Sequence, residues 1–358
     1  MSLNIGAQAP WFVAHTRQTP RFHFSAAGGR YVLLALLPDA GPERDEAMVA
    51  LLRARTMFDD QRISALGVLR DRIRFDQTAD QLPGLRWVFD PDGAVARAHH
   101  ALDDQGATIG GWVLIDPALR ILDVAPAAEA ERIFERVRGL GAPADHAGTP
   151  LSAPVLIVPR IFEPELCRRL IDVYDETGGQ PSGVMRVQDG KTVGVLDESK
   201  RRRDASIEDE TLRAVLRQRM AQGLLPQIKR AFQFGVTRIE RYIVACYDAQ
   251  EGGFFRAHRD DTTPGTAHRR FACSINLNAE DFEGGDLLFP EYGDRRYRPP
   301  TGGAVVFSCS LLHEATPVTR GRRYAFLPFF FDEAGEAVRQ ANAAAQTIHA
   351  APEAPENV

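Results

Sequence analysis

Residues 242–261, YIVACYDAQEGGFFRAHRDD, and 313–331, HEATPVTRGRRYAFLPFFF, decide how the rest of the chain is read. From Arg238 to Asp332 short apolar runs are separated by Gly and Pro turns: RIERYIVACY, FFRAH, RFACSINLN, DLLFP, AVVFS, RRYAFLPFFF. Such spacing argues an antiparallel double-sheet barrel. Residues two apart on an extended strand face the same way, so His258 and Asp260 converge on the barrel interior while Asp261 faces the other side. His313, beyond the strand expected over Ala304–Phe307, comes from across the barrel and completes two histidines and one carboxylate. That is the facial ligand set of a non-haem iron(II) site, with positions left open for substrate and oxygen. Zinc or nickel would also occupy these donors, so the ligands alone do not choose the metal.

An isolated HxD occurs by chance in many proteins, but this one is followed by a distal His and, ten residues later, by Arg323. From about residue 154 to 333 the sequence resembles the prolyl 4-hydroxylase group of iron(II)/2-oxoglutarate oxygenases. The phrases that carry the resemblance are YIVACYDAQEGGFFRAHRDD, FEGGDLLFPEYG, PPTGGAVVFS and HEATPVTRGRRYAFLPFFF. It implies iron ligands at His258, Asp260 and His313 and a co-substrate-binding basic residue at Arg323. The chemistry suits an arginine: 2-oxoglutarate chelating a metal through its keto and C1 carboxylate oxygens leaves the C5 carboxylate for a guanidinium fork to hold. Arg322 should point to the opposite face. Tyr247 matches a tyrosine near the bound co-substrate in that group, the alternative being plain core packing. Asn276 stands where a second co-substrate tyrosine is often found, and a shorter amide would hold the C5 carboxylate differently. Gly284, Gly285, Thr301–Ala304 and Pro317 read as turn and bulge residues, and His268 as a surface-loop histidine.

Upstream, Val155–Pro159 reads as a strand and Phe162–Thr177 as an amphipathic helix ended by Gly178-Gly179. Gly183–Val195 is a hairpin turned at Asp189-Gly190, followed by the charged loop Glu198–Asp204 and by helices within Ile207–Gln233. The hairpin and basic loop are either a lid, with Arg202 and Arg203 contacting substrate, or a solvated connection.

The first part of the chain alternates strand and helix: Tyr31–Leu37, a helix over 42–56 with Pro42 near its start, Ile63–Leu69, Trp87–Phe89, a helix over Asp92–His100, a hairpin of Trp112–Ile115 with Arg120–Val124, and a helix over Ala127–Leu140. With FDPDGAVARAHHA and GWVLIDPALRIL, this resembles the peroxiredoxin branch of the thioredoxin fold over roughly residues 5–140. Counting from Pro38, the places of the peroxidatic cysteine and its preceding hydroxyl residue hold Asp45 and Pro42, and no cysteine precedes Cys167. Without a thiolate there is no peroxidase. A docking or dimerisation module and an inert scaffold both fit. His99 and His100 point about 100° apart on a helix and read as ordinary surface or boundary residues.

At 358 residues with a net charge of -5, the chain suits two domains and gives no electrostatic reason to expect nucleic acid or an anionic membrane as partner. Residues 1–11 lack signal-peptide character and the four cysteines lack CxxC spacing, so a cytoplasmic protein with buried free thiols is expected. The expected organisation is a thioredoxin-like α/β domain over 1–145 and a linker over 146–153. A mainly-β double-stranded β-helix, or jelly roll, with supporting helices covers 154–334, and an Ala-rich, partly disordered tail covers 335–358. The resemblance implies a dioxygenase that uses iron(II), 2-oxoglutarate and O2, with ascorbate as an accessory reductant. Its expected substrate is a prolyl residue in a protein or peptide, and a free amino acid or other small molecule is the alternative. A homodimer through the first domain and a 2-oxoglutarate-binding sensor module are further expectations.

Overall fold

The computed structural model describes residues 3–343 and the backbone of 356–357. The chain divides into two compact units, Met1–Ser152 with Pro290–Asp294, and Ala153–Phe289 with Arg295–Val358. Among the described residues no helix is long and apolar enough to cross a membrane.

The first unit is built on a seven-stranded sheet whose central strands Tyr31–Leu36, Ile63–Leu69 and Leu85–Phe89 run parallel. The first two are buried at every position, as continuous apolar runs should be when both sheet faces are covered. One face packs against the helices Pro42–Arg53 and Ala130–Arg138 through Met48, Leu51, Phe134 and Val137. The other face buries Phe24, Val95 and Ala96. Each Leu, Met, Phe or Val side chain so removed from water contributes roughly 1.5–3 kcal/mol. The antiparallel strands Gly111–Ile115 and Ile121–Ala125 form the expected hairpin at one edge. Strands Val13–Thr16 and Phe22–His23 at the other edge, and the helix Arg72–Gln77 with Asp71 as its N-cap, carry too short a pattern to be read from sequence. His99 is not a surface residue: it is fully buried, with Nδ1 2.8 Å from the Val95 carbonyl.

The second unit has a large and a small antiparallel sheet. The large one contains Arg238–Glu240, Phe329–Phe331, Phe271–Asn276, Arg322–Phe326, Ile243–Asp248 and Arg203–Ser206. The strands Ala304–Ser308 and Leu156–Val158 continue from Phe271–Asn276. The small sheet runs Lys200–Arg201, Phe254–His258, His313–Ala315, Leu287–Leu288, Arg296–Tyr297. Alternation along the large sheet sorts its two faces. Val244, Cys246, Ile275 and Phe326 pack under the helices Pro164–Thr177, Glu210–Gly223 and Leu225–Phe232. Ala245 and Tyr247 face inward, in a cluster with Ala315 of the small sheet.

Three expectations change here. Residues 198–204 are not a loop: Lys200–Arg201 joins the small sheet and Arg203–Ser206 the large one, with Lys200 and Arg202 buried between them. His268 is also buried, its Nε2 2.6 Å from the Glu240 carboxylate that Arg269 shares. The stretch expected to be tail from 335 opens inside a helix, Glu333–Ala341, capped by Asp332; residues 344–355 and 358 lie outside the described residues.

Candidate metal centre

His258 ends the strand Phe254–His258 and faces His313, its cross-strand partner at the start of His313–Ala315. Asp260 lies two residues beyond the strand, so strand alternation is not what aims it. Its backbone N–H donates to the Cys309 carbonyl at 2.9 Å, which turns the carboxylate back over the histidines. Asp261 instead accepts from the Ser310 hydroxyl. One ligand atom from each of His258, Asp260 and His313 lies within 4.8 Å of the others. Each Nε2 is 3.4 Å from an Asp260 oxygen.

Both histidines are held in one tautomer. Nδ1 of His258 sits 2.8 Å from the Arg256 carbonyl, and that of His313 sits 3.0 Å from the Leu311 carbonyl, so each Nδ1 donates and each Nε2 is turned toward Asp260. Phe255 stacks on His258 with ring centroids 3.5 Å apart, and Phe307 packs on His313 at 4.5 Å. Burial, followed by repulsion from His258, pushes His313 down to about 4, leaving it neutral at neutral pH. Burial would raise the Asp260 carboxyl, but His313 and His258 outweigh it and hold the group far below the usual carboxylate range. A neutral His313 imidazole and an ionised Asp260 carboxylate are thus gathered beside His258, donors of the kind a divalent cation takes.

Arg323 faces inward from Arg322–Phe326 opposite Tyr247, while Arg322 faces out and pairs with Asp248 at 2.7 Å. Nη2 of Arg323 donates to the Ser274 hydroxyl at 2.8 Å, and Nε is 3.4 Å from the Asn276 amide oxygen. Its Nη1 is buried with no partner among the described residues, an arrangement that is costly unless a ligand completes it. The Asn276 amide nitrogen already donates to the Pro299 carbonyl, so this residue orients Arg323 through its oxygen. Gly285, at φ 66, lets the chain pass so close that a Cβ would sit 3.1 Å from Arg323 Cδ.

Arg202 lies where the chain passes from the small sheet to the large one. It grips Asp204 through Nε and Nη2, at 2.7 and 2.6 Å, and its Nη1 is 3.4 Å from the Tyr247 hydroxyl. Tyr247 thus has Arg202 at 5.7 Å and Arg323 at 5.2 Å from its ring centre. Arg203 spends its guanidinium on the carbonyls of Gly178 and Gly179. Ser274 and Lys200 escaped the sequence reading, although each is two residues from a named site residue, Asn276 and Arg202, and alternation places them on the same faces.

No family model matches the chain. It is similar to a PKHD-type hydroxylase of Synechococcus sp. strain JA-2-3B'a(2-13), 32% identical over 93 residues, covering 24% of this chain and 41% of that protein. The chain spans about half or less of the length of the curated relatives it matches, from 29% to 54%. A prolyl hydroxylase from Trichoplax adhaerens, solved with a hypoxia-inducible-factor peptide fragment, superposes with a TM-score of 0.40 at 17% identity, over 52% of this chain and 87% of that one. Plasmodium yoelii thioredoxin peroxidase I does so with a TM-score of 0.32 at 20% identity, over 38% of this chain and 89% of that one.

Proposed function

We propose that the chain is an iron(II)- and 2-oxoglutarate-dependent dioxygenase that hydroxylates a C–H bond of a prolyl residue in a protein or peptide. The observation that carries this is the pairing of the His258, Asp260 and His313 cluster with a buried Arg323 whose Nη1 has no partner among the described residues. The ligand types suit iron(II) with open positions, and a buried guanidinium with a vacant donor suits a dicarboxylate. Iron(II) with 2-oxoglutarate and oxygen supplies the oxidising power, with succinate and carbon dioxide as co-products.

The chain's own residues supply position and charge. His258, Asp260 and His313 would hold the metal ion. Arg323, set by Ser274 and Asn276 and flanked by Tyr247, takes the C5 carboxylate and so fixes which way the co-substrate lies. Phe255 and Phe307 pack against the two imidazole rings and help to fix their orientation. We take the two sheets of the second unit as the sides of a double-stranded β-helix, and Arg202 and Arg203 as belonging to the substrate approach. The first unit, with exposed Asp45 where the peroxidatic thiol would stand, is taken as a docking module and not as a peroxidase.

The test is succinate formation by the full chain given iron(II), 2-oxoglutarate, oxygen and ascorbate. A properly metallated protein that makes none, with or without a second substrate, sinks the reading. Mapping peptides that gain one oxygen atom in treated cell extract separates the prolyl substrate from a free amino acid, which would leave the proteome unmarked.

A further inference from the structure

Beside the crossover at Arg202 lies a pocket of about 220 Å³ whose lining includes Ser182, Asp197, Lys200, Arg202 and Glu251. It is smaller than the roughly 300–1,000 Å³ of sites that enclose a whole drug-sized ligand, so it fits one group of a larger molecule. Its cations outnumber its carboxylates, with Lys200, Arg201, Arg202 and Arg203 set against Asp197 and Glu251. Arg202 is matched by Asp204 behind it, and Asp197 pairs with Arg186 at 2.8 Å. Lys200, only 8% exposed, has no carboxylate within ion-pair distance among the described residues. Its ammonium donates to the Ser182 hydroxyl at 2.7 Å and the Gly183 carbonyl at 2.8 Å, which leaves one N–H of three uncommitted. Burial, then the neighbouring Arg202, pushes its pKa well down against the opposing pull of Asp204 and Asp260.

The place of this cation in the fold gives it a direction. Lys200 is the cross-strand partner of Phe255, and its Nζ lies 4.8 Å from that ring's centre. The same ring stacks on His258. One aromatic ring therefore separates the unmatched cation from a metal ligand. Arg202 likewise reaches Tyr247, whose other neighbour is Arg323.

We propose that this pocket is a carboxylate subsite for the substrate, in which Lys200 pairs with an acidic group carried next to the reacting carbon. The word substrate rests on the oxygenase reading above; the subsite itself rests on the pocket and on Lys200. The carboxylate comes from an Asp or Glu flanking the target in a peptide, or from the free carboxylate of an amino acid.

Binding, not turnover, tests this. The full chain is loaded with manganese(II) and 2-oxoglutarate without oxygen and titrated calorimetrically. The probes are proline-containing hexapeptides differing only in Asp against Asn at each flanking position, and L-proline against L-prolinamide. A carboxylate member of one pair binds roughly tenfold or more tightly than its amide twin, the lower end for a charge-assisted hydrogen bond. Lys200→Met abolishes the preference and Lys200→Arg keeps most of it. A preference among the peptides assigns a peptide source, and one confined to L-proline a small-molecule source. The absence of a preference from both the peptide and the proline pairs, whether or not they bind, overturns the proposal, as does a preference that survives Lys200→Met. If Lys200→Met loses the native circular dichroism, Lys200→Gln replaces it, and the wild-type comparison still decides. A protein with the acid preference that makes no succinate keeps the subsite and loses the oxygenase reading. Succinate formation without the preference does the reverse.

Discussion

In the first unit Arg86 places its two terminal nitrogens on the two oxygens of Asp60, at 2.6 and 2.7 Å, and Ser64 adds a hydroxyl at 2.7 Å. In the second, Arg323 reaches one hydroxyl and one amide oxygen and leaves Nη1 bare, while Asp260 has two histidines for neighbours and no guanidinium within ion-pair distance among the described residues. Both regions bury charge in sheet proteins of ordinary packing. The first closes its charges on each other, which fixes a structure. The second leaves Asp260 facing two imidazoles and Arg323 with a bare nitrogen, which the proposed metal and co-substrate would complete.

The comparison breaks most decisively at the ligands. His258→Ala or Asp260→Ala removes a direct donor, so metal affinity falls beyond the 10- to 100-fold usual for residues that only support a ligand, and 2-oxoglutarate turnover is lost. Metal content after dialysis and succinate release check this, and retention of both would show that the cluster is structural. Arg323→Met comes next: truncating one side of a buried charge pair costs about 2 kcal/mol or more, roughly 30-fold, in 2-oxoglutarate affinity, with metal binding intact. An unchanged 2-oxoglutarate affinity would put Arg323 on a par with Arg86.

Asp60→Asn sharpens the other side. It should cost about 1–3 kcal/mol in urea unfolding at pH 7, less than a fully buried pair because this one is partly exposed. Burial would raise the Asp60 carboxyl, but the Arg86 fork and the Ser64 hydroxyl outweigh it and hold the group at about 2. Its folded value lies below the unfolded one of about 3.9. The stability it contributes is therefore present above about pH 4 and is lost as pH falls from 4 toward 2. Asp60→Asn should flatten that part of the acid-unfolding profile, and an unaltered profile would deny the pair its role. The smallest effect is expected at Gly190→Ala. Asp189 and Gly190 have φ of 50° and 76°, and no neighbouring atom crowds a new Cβ, so the substitution costs only the left-handed backbone penalty, about 1–2 kcal/mol. Hydrogen exchange should rise in Val184–Val195 and stay unchanged in the first unit.

Much of this was legible in the chain. Strand Ile63–Leu69 falls where its apolar run predicts, and the helix Pro164–Thr177 stops at Gly178, whose left-handed conformation the Gly-Gly pair signals. The opposite facing of Arg322 and Arg323 follows from alternation alone. Less legible was Lys200 to Asp204, a charge run that reads as solvated. Local composition cannot say that Ser182, Asp204 and Tyr247 will surround it, because those partners meet only when two sheets close over the crossover. His268 was misread for the same reason: its partner Glu240 is 28 residues away.

By itself the sequence determined the residue types, their periodicity and their turns, which depend on a few neighbouring dihedrals and on which face is apolar. That sufficed for the inward face carrying Tyr247 and Arg323 and for setting His258 beside a distal His313. The tertiary structure alone decided that Asp260 turns back from beyond its strand, held by Cys309, and that, among the described residues, Arg323 keeps one nitrogen unmatched and buried Lys200 has no carboxylate in direct contact. Those are properties of burial and of long-range partners, and neither is encoded in any one segment.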